Sequence, residues 1–152
     1  MGSATAARVL AALELGRLAA SESPAERDRI GSLGDVYQRY GPRLRDLPQD
    51  EFHALLLDTR HRVVREVCVT RGTLDASLIS SREVIRLAVV EGVATVILAH
   101  NHPSGDLAPS PYDRAVTRQI AEAGRALWIP VLDHVIVGDC RSASLAEEGG
   151  LG

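Results

Sequence analysis

Two histidines separated by one residue, His100 and His102, are the side chains in this sequence best placed to do chemistry. The apolar, β-branched run before them, residues 95–99, predicts a buried strand, so the histidines lie at its end. In an extended chain residues i and i+2 point to one face, roughly 7 Å apart along the strand, so both imidazoles can converge on one ion. Farther along, Asp113 offers a carboxylate and Ser110 a hydroxyl. Two neutral imidazoles and one carboxylate that leave a coordination position open are the ligands of a catalytic zinc site, which predicts a metal-activated hydrolase.

Ser110 and Asp113 also have an ordinary structural interpretation. The Ser-Pro-x-Asp pattern is a capping box with proline at the first helical position, in which both side chains bond backbone N–H groups. This interpretation does not exclude metal binding, because a carboxylate has two oxygens and an aspartate in the first helical turn projects toward the preceding loop. The sequence leaves both roles open.

Hydrophobic periodicity predicts the elements that must position these side chains. The predicted helices cover residues 4–20, a segment from Ser32 onward, a segment from Ser80 to Gly92, and residues 112–127. The predicted strands cover residues 51–58, 63–70, 95–99 and 131–137, and residues 72–79 are predicted to form a loop or short strand. The glycine-containing tail from Ser142 is expected to pack poorly. Strands alternating with helices predict a mixed α/β sandwich.

Composition limits the classes of function. A chain of 152 residues suits one domain, and charges interrupt every apolar run before the roughly 18 to 20 residues that cross a membrane. Cys68 and Cys140 fit no C-x-x-C spacing, so neither a zinc ribbon nor a disulfide framework is predicted, and a reducing cytoplasm is expected. The net charge of -3 argues against a domain that binds nucleic acid through general neutralisation of its phosphates. The sequence has no lysine, which excludes Schiff-base chemistry and a P-loop within it.

These residues, taken in order, resemble a known family. His100-x-His102 followed by Ser110-x-x-Asp113 is similar to the JAMM signature of MPN-type metalloproteases, and the string His-Asn-His-Pro-Ser-Gly resembles the RadC branch. Further similar stretches are residues 71–73, 81–84, 99–105, 132–134 and 144–147. The resemblance implies a curved mixed β-sheet flanked by helices, similar to the cytidine deaminase fold, and one zinc ion per chain held by His100, His102 and Asp113.

The resemblance also predicts a domain organisation. Residues 7–18 are similar to the last helix of the helix-hairpin-helix module that precedes this domain in longer RadC proteins. Residues 1–20 are therefore expected to be an N-terminal helix related to that module, and the polar residues 21–31 a linker. Residues 32–152 are expected to form the RadC-like metallohydrolase domain.

A general base is the last component that the family implies. The family has a glutamate just ahead of its first long strand, and Glu51 is the matching position. In this scheme Glu51 takes a proton from water at the zinc, and Ser110 donates a hydrogen bond to the oxyanion. Glu66, Glu83 and Glu91 are weaker candidates, since helix capping explains Glu83 and helix solvation explains Glu91. The scheme predicts hydrolysis of amide or isopeptide bonds in a peptide or protein substrate.

Three other interpretations compete with the hydrolase. A 2-His-1-carboxylate set also suits Fe(II) oxygenases, although α/β alternation disfavours the all-β barrel that those enzymes commonly use. The letters HNH match a nuclease motif by accident, because in that motif the three residues are far apart in sequence. A non-enzymatic DNA-associated role would use a basic ridge of Arg60, Arg62, Arg65 and Arg71. His134 is expected to be a core residue or an outer neighbour of the site rather than a ligand, and the oligomeric state stays open.

Overall fold

A computed structural model describes residues 2–21, 28–72, 81–149 and 151. The helices within this part of the chain are α1 (Ser3–Ser21), α2 (Leu33–Leu44), α3 (Ser81–Val90) and α4 (Pro111–Ala126). The strands are β1 (Glu51–Leu57), β2 (Val63–Arg71), β3 (Thr95–Asn101), β4 (Val131–Val137) and β5 (Ser142–Ser144). The predicted helix start at Ser80, the predicted loop at residues 73–79 and residues 22–27 of the predicted linker lie outside the described residues.

The five strands form one mixed sheet in the order β2-β1-β3-β4-β5. Strands β3 and β4 are parallel, whereas the other neighbours are antiparallel. A parallel pair needs a crossover connection, which α4 supplies between β3 and β4. Strands β1 and β2 form a hairpin, at whose turn Asp58 Oδ1 accepts the backbone N–H groups of Arg60 and Arg62. The predicted α/β class with a mixed sheet flanked by helices is confirmed.

Side-chain alternation along the central strands divides the core between two faces of the sheet. The face that packs on α3 and α4, here called the α3/α4 face, buries Phe52, Ala54, Leu56, Val96 and Leu98. The opposite face packs on α2, and we call it the α2 face; it buries Leu55, Leu57, Ile97, Ala99, Val135 and Val137. Helix α2 contributes Val36, Tyr40 and Leu44 to that second core. Both faces of β1 and β3 are therefore covered, which explains their nearly continuous apolar sequences.

The tail after β4 packs better than its sequence predicts. Residues 142–144 form the edge strand β5, and Leu145 is fully buried. The Ser144 hydroxyl donates to Asp133 Oδ2 at 2.7 Å, and the backbone N–H of Leu145 donates to the carbonyl of His134 at 3.0 Å. The expectation of a poorly packed tail is wrong, because an edge strand needs only a few backbone hydrogen bonds and one apolar anchor.

The N-terminal helix predicted for residues 4–20 is present as α1. Its side chains at Val9, Leu10 and Leu13 are exposed. Within the described part of the chain, no helix is both long enough and apolar enough to cross a bilayer.

Candidate metal centre

Strand β3 brings the two histidines together. The strand continues through Asn101, so His100 lies inside it and is fully buried, while His102 follows directly and is half-buried. The two Nε2 atoms are 2.8 Å apart. Both imidazoles therefore point to one place on the α3/α4 face, as the i, i+2 spacing predicts.

Asp113 reaches the same place from the first turn of α4. Its Oδ1 lies 3.1 Å from His100 Nε2, and its Oδ2 lies 3.0 Å from His102 Nε2. The capping box is also present: Asp113 Oδ2 accepts the backbone N–H of Ser110 at 2.7 Å, and Ser110 Oγ accepts the backbone N–H of Asp113 at 3.0 Å. The structural and the ligand interpretations hold together, because the capping contacts orient the carboxylate toward the histidines.

A chain of hydrogen bonds behind His100 indicates which of its nitrogens carries the proton. The Thr117 hydroxyl donates to the carbonyl of Asp113 at 2.6 Å, so its oxygen is left to accept from His134 Nδ1. His134 Nε2 then has a lone pair and accepts from His100 Nδ1 at 2.6 Å. The remaining nitrogen, His100 Nε2, therefore presents a lone pair to the centre of the site.

His102 is oriented in the same way by the loop that follows it. Its Nδ1 donates to the backbone carbonyl of Asp106 at 2.6 Å, which leaves the Nε2 lone pair facing inward. Gly105 lies in the left-handed region of backbone space, at φ 76°, where a side chain is disfavoured. This turn brings the Asp106 carbonyl back to the imidazole.

The electrostatics of the site favour an anionic Asp113 and a neutral His134. Burial alone would raise the pKa of Asp113, but the hydrogen bonds that His100 and His102 donate when their Nε2 atoms are protonated outweigh it and hold this pKa well below its usual range. With the lone pairs turned inward, a cation takes the place of those protons beside the carboxylate. Burial lowers the pKa of His134, and the positive charge that His100 can carry lowers it further, so His134 stays neutral. An anionic Asp113 and a neutral His134 are the forms that the ligand arrangement requires.

These three residues, here called the His-His-Asp triad, fit a transition-metal ion. One ligand atom from each of His100, His102 and Asp113 lies within 4.8 Å of the others. Atoms with lone pairs this close repel one another unless a cation or a proton is shared among them. A site with two imidazoles and one carboxylate as its three protein ligands matches a catalytic zinc site.

The two acidic residues at the start of β1 have different surroundings. Burial raises the pKa of Asp50, and the charges of His100 and His102 act on it in the opposite direction, so its carboxyl group lies within electrostatic reach of the triad. The Glu51 carboxylate instead lies 2.9 Å from His53 Nε2 and 3.2 Å from Arg71 Nε. Glu51, the base predicted from the family pattern, is thus in direct contact with His53 and Arg71, and its role as base stays a prediction.

Asn101 fixes the backbone on both sides of Asp50. Its Nδ2 donates to the carbonyl of Gln49 at 3.1 Å, and its Oδ1 accepts the N–H of Glu51 at 2.8 Å. Asn101 is 1% exposed, so both bonds are shielded from water. The side chain between the two histidines thus ties the start of β1 to the end of β3.

Comparisons with known proteins show the family of this chain. The sequence model described as the RadC-like JAB domain matches residues 30–151, and the chain belongs to that family. A UPF0758 protein of Methanococcoides burtonii is 44% identical over 149 residues, which is 98% of this chain and 65% of the relative. UPF0758 proteins of Symbiobacterium thermophilum and Thioalkalivibrio sulfidiphilus are 42% and 46% identical over the same length. The chain thus spans about two thirds of the length of these curated relatives, from 63% to 66%.

The remaining predicted residues have other partners. Glu66 pairs with Arg39 and Arg43, Glu83 with Arg86, and Glu91 with Arg65. Sequence reasoning missed Thr117 and Asp50. The spacing of Thr117, one helical turn after Asp113, and the alternation that places Asp50 on the side of Phe52 are the signals that point to them.

Proposed function

We propose that this protein is a zinc-dependent hydrolase of amide or isopeptide bonds. The observation that carries the proposal is the His-His-Asp triad, with its ligand atoms within 4.8 Å of one another and both imidazole Nε2 lone pairs directed inward. His100, His102 and Asp113 would hold the ion, one per triad. A zinc ion in such a site acidifies water and polarises a carbonyl group.

Asp50 is the residue we propose as general base, in place of Glu51. The charges of His100 and His102 act on the Asp50 carboxylate, which makes it a candidate to take a proton from water at the triad, directly or through one further water, and a raised pKa makes it a better proton acceptor. The same group then returns the proton to the leaving amine. General base catalysis of this kind contributes roughly 10²- to 10⁴-fold to the rate.

Ser110 is proposed to stabilise the developing negative charge on the substrate oxygen. Its Oγ accepts the backbone N–H of Asp113, so the hydroxyl hydrogen is left to donate toward the substrate carbonyl. The capping contact fixes the hydroxyl next to Asp113, and a fixed donor needs little reorganisation during the reaction. Loss of one such donor typically costs about 3 kcal/mol.

A peptide or protein is the proposed substrate, in a cytoplasmic setting. The structure lends the DNA-associated alternative less support than the sequence does, because three of the four arginines of the predicted basic ridge form ion pairs with acidic side chains. Arg62 contacts Asp58, Arg65 contacts Glu91, and Arg71 contacts Glu51.

Hydrolysis of a mixed peptide and isopeptide library, with and without chelator, tests the proposal. We expect cleavage that the chelator abolishes, that added zinc restores, and that proceeds equally well without oxygen. Cleavage that survives complete removal of metal would contradict the proposal. Turnover that requires Fe(II) and oxygen would favour the oxygenase interpretation instead.

A further inference from the structure

We infer that the α2 face of the sheet carries a second metal site, made of Glu51, His53 and Cys68 and selective for zinc or another thiophilic divalent ion. One ligand atom from each of these residues lies within 4.8 Å of the others. We call the three residues the Glu-His-Cys cluster. This inference stands on its own residues and does not depend on the proposed hydrolase function.

The register of the β1–β2 hairpin places these side chains on one face. Phe52 pairs with Thr70 and His53 pairs with Cys68, so one extra residue, Val69, forms a bulge in β2. With regular pairing, Cys68 would lie opposite Ala54 and would face the other side of the sheet. A bulge redirects the side chains that follow it, and here it brings the Cys68 thiol to the same side as Glu51 and His53.

His53 is the observation that points to a ligand. Its exposed fraction is only 6%, and its two ring nitrogens face two carboxylates. Nε2 lies 2.9 Å from Glu51 Oε2, while Nδ1 lies 4.0 Å from Glu66 Oε1 and has no hydrogen-bond partner among the described residues. A buried imidazole nitrogen without a partner is uncommon and unfavourable, because the group has lost its water contacts.

An ion bound between Glu51 and Nε2 gives both ring nitrogens of His53 a role. The Nε2 lone pair and the Glu51 oxygen then serve as ligands, and the proton resides on Nδ1, which points to Glu66. Metal-binding histidines usually direct the second ring nitrogen to a carboxylate or carbonyl in this way. Glu66 is itself held at this position by Arg39 and Arg43.

The charges of the cluster match a divalent ion. Binding displaces the thiol proton of Cys68 to solvent, so one thiolate and the Glu51 carboxylate balance the two positive charges. Arg71 contacts the other carboxylate oxygen, Glu51 Oε1, and its side chain is 68% exposed, so it can remain outside the ligand set. A thiolate and an imidazole favour zinc over magnesium or calcium, which prefer oxygen ligands.

Cobalt(II) substitution tests the site directly, because only a thiolate ligand gives a near-ultraviolet sulfur-to-cobalt charge-transfer band. The triad contains no sulfur, so this band reports on the Glu-His-Cys cluster alone. With the reduced protein we expect the band in the unmodified chain, its loss in Cys68→Ser, and its retention in the matched control Cys140→Ser. An unmodified chain without the band, or a band that Cys140→Ser removes and Cys68→Ser does not, would overturn the inference.

Metal content separates this site from the triad. After loading with zinc and gel filtration, we expect two equivalents in the unmodified chain and one in either Cys68→Ser or His102→Ala. A different outcome is that the unmodified chain binds one equivalent of zinc and shows the cobalt band, with the zinc content unchanged in His102→Ala. That result would retain the second site and refute the triad as a metal site. One equivalent that is lost in His102→Ala and unchanged in Cys68→Ser would refute the second site.

Thiol alkylation provides a measurement that needs no substitution. Zinc should slow the alkylation of half-buried Cys68 at least tenfold, whereas exposed Cys140 in the same molecule should react at an unchanged rate. Equal rates for Cys68 with and without zinc would count against the site.

Discussion

The two faces of the sheet present similar ligand atoms that differ in how completely the protein orients them. On the α3/α4 face, His100 and His134 are linked in a continuous chain that ends at Thr117 and the Asp113 carbonyl. On the α2 face, His53 Nδ1 and the Tyr40 hydroxyl find no hydrogen-bond partner among the described residues. The first set is oriented by the protein's own hydrogen bonds, whereas in the second set the imidazole of His53 is held at Nε2 and not at Nδ1. Preorganisation of this kind is what catalysis requires, so the α3/α4 face is the one that suits the proposed hydrolysis.

Asp113→Ala, on the α3/α4 face, should have the largest effect of the substitutions compared. It removes a ligand, so we expect the triad to lose its zinc and hydrolysis to fall to the level of chelator-treated protein. Metal content and cleavage rate measure both effects. Ser110→Ala is the matched control, because it also removes a capping contact, at a cost of about 1 kcal/mol, and should keep the metal. An Asp113→Ala protein with unchanged zinc content would eliminate the triad as the binding site.

Substitution of the adjacent acids at the start of β1 compares the two faces directly. Asp50→Asn should lower kcat/KM about 10²- to 10⁴-fold, because it removes the proposed proton acceptor. Glu51→Gln should change hydrolysis little, because its carboxylate lies with His53, and should weaken the second site instead. The reverse order of the two effects on kcat/KM would return the role of general base to Glu51.

The chain of hydrogen bonds behind His100 should influence affinity more than chemistry. His134→Ala leaves His100 Nδ1 without its acceptor, so we expect zinc binding at the triad to weaken about 10- to 100-fold. Competition with a chromophoric chelator measures the dissociation constant. His61→Ala, at an exposed position, should leave that constant unchanged, and an equal loss in both variants would indicate a nonspecific effect.

The smallest effect should come from the unpartnered hydroxyl on the α2 face. Tyr40→Phe removes a buried group that makes no hydrogen bond with the described residues, so the free energy of unfolding should stay within about 1 kcal/mol or rise. Thr117→Val, at a fully bonded hydroxyl, should cost about 1 to 3 kcal/mol. Urea unfolding of both variants makes the comparison, and a larger loss for Tyr40→Phe would show that the two faces do not differ as described.

Much of the fold follows from local sequence patterns. The helix predicted for residues 112–127 begins and ends within one residue of α4, because proline and a capping box mark its start. The strand predicted for residues 131–137 has the bounds of β4. The tail was missed because three residues pair as a strand only where a neighbouring edge is available. Which strand lies beside β5 is set by tertiary contacts and not by local propensity.

The site was predictable to the extent that it depends on spacing. The i, i+2 histidines converge because of strand geometry, and Asp113 joins them because its capping box fixes its direction. The general base stays a prediction, and spacing alone does not choose between Asp50 and Glu51, since one step along an extended chain moves a carboxylate to the opposite side of the sheet. Cys68 was equally hidden, because the bulge at Val69 that turns it toward His53 has no signature in the residues of β2.

The two hydrogen bonds of Asn101 with the backbone of Gln49 and Glu51 fix the chain on both sides of Asp50. The Asn101 amide sets the direction in which the polypeptide enters the β1–β2 hairpin, and with it the directions in which the consecutive acids Asp50 and Glu51 point. Replacement of Asn101 should therefore disturb the triad and the Glu-His-Cys cluster at once, so this position couples two groups of residues that otherwise share no member.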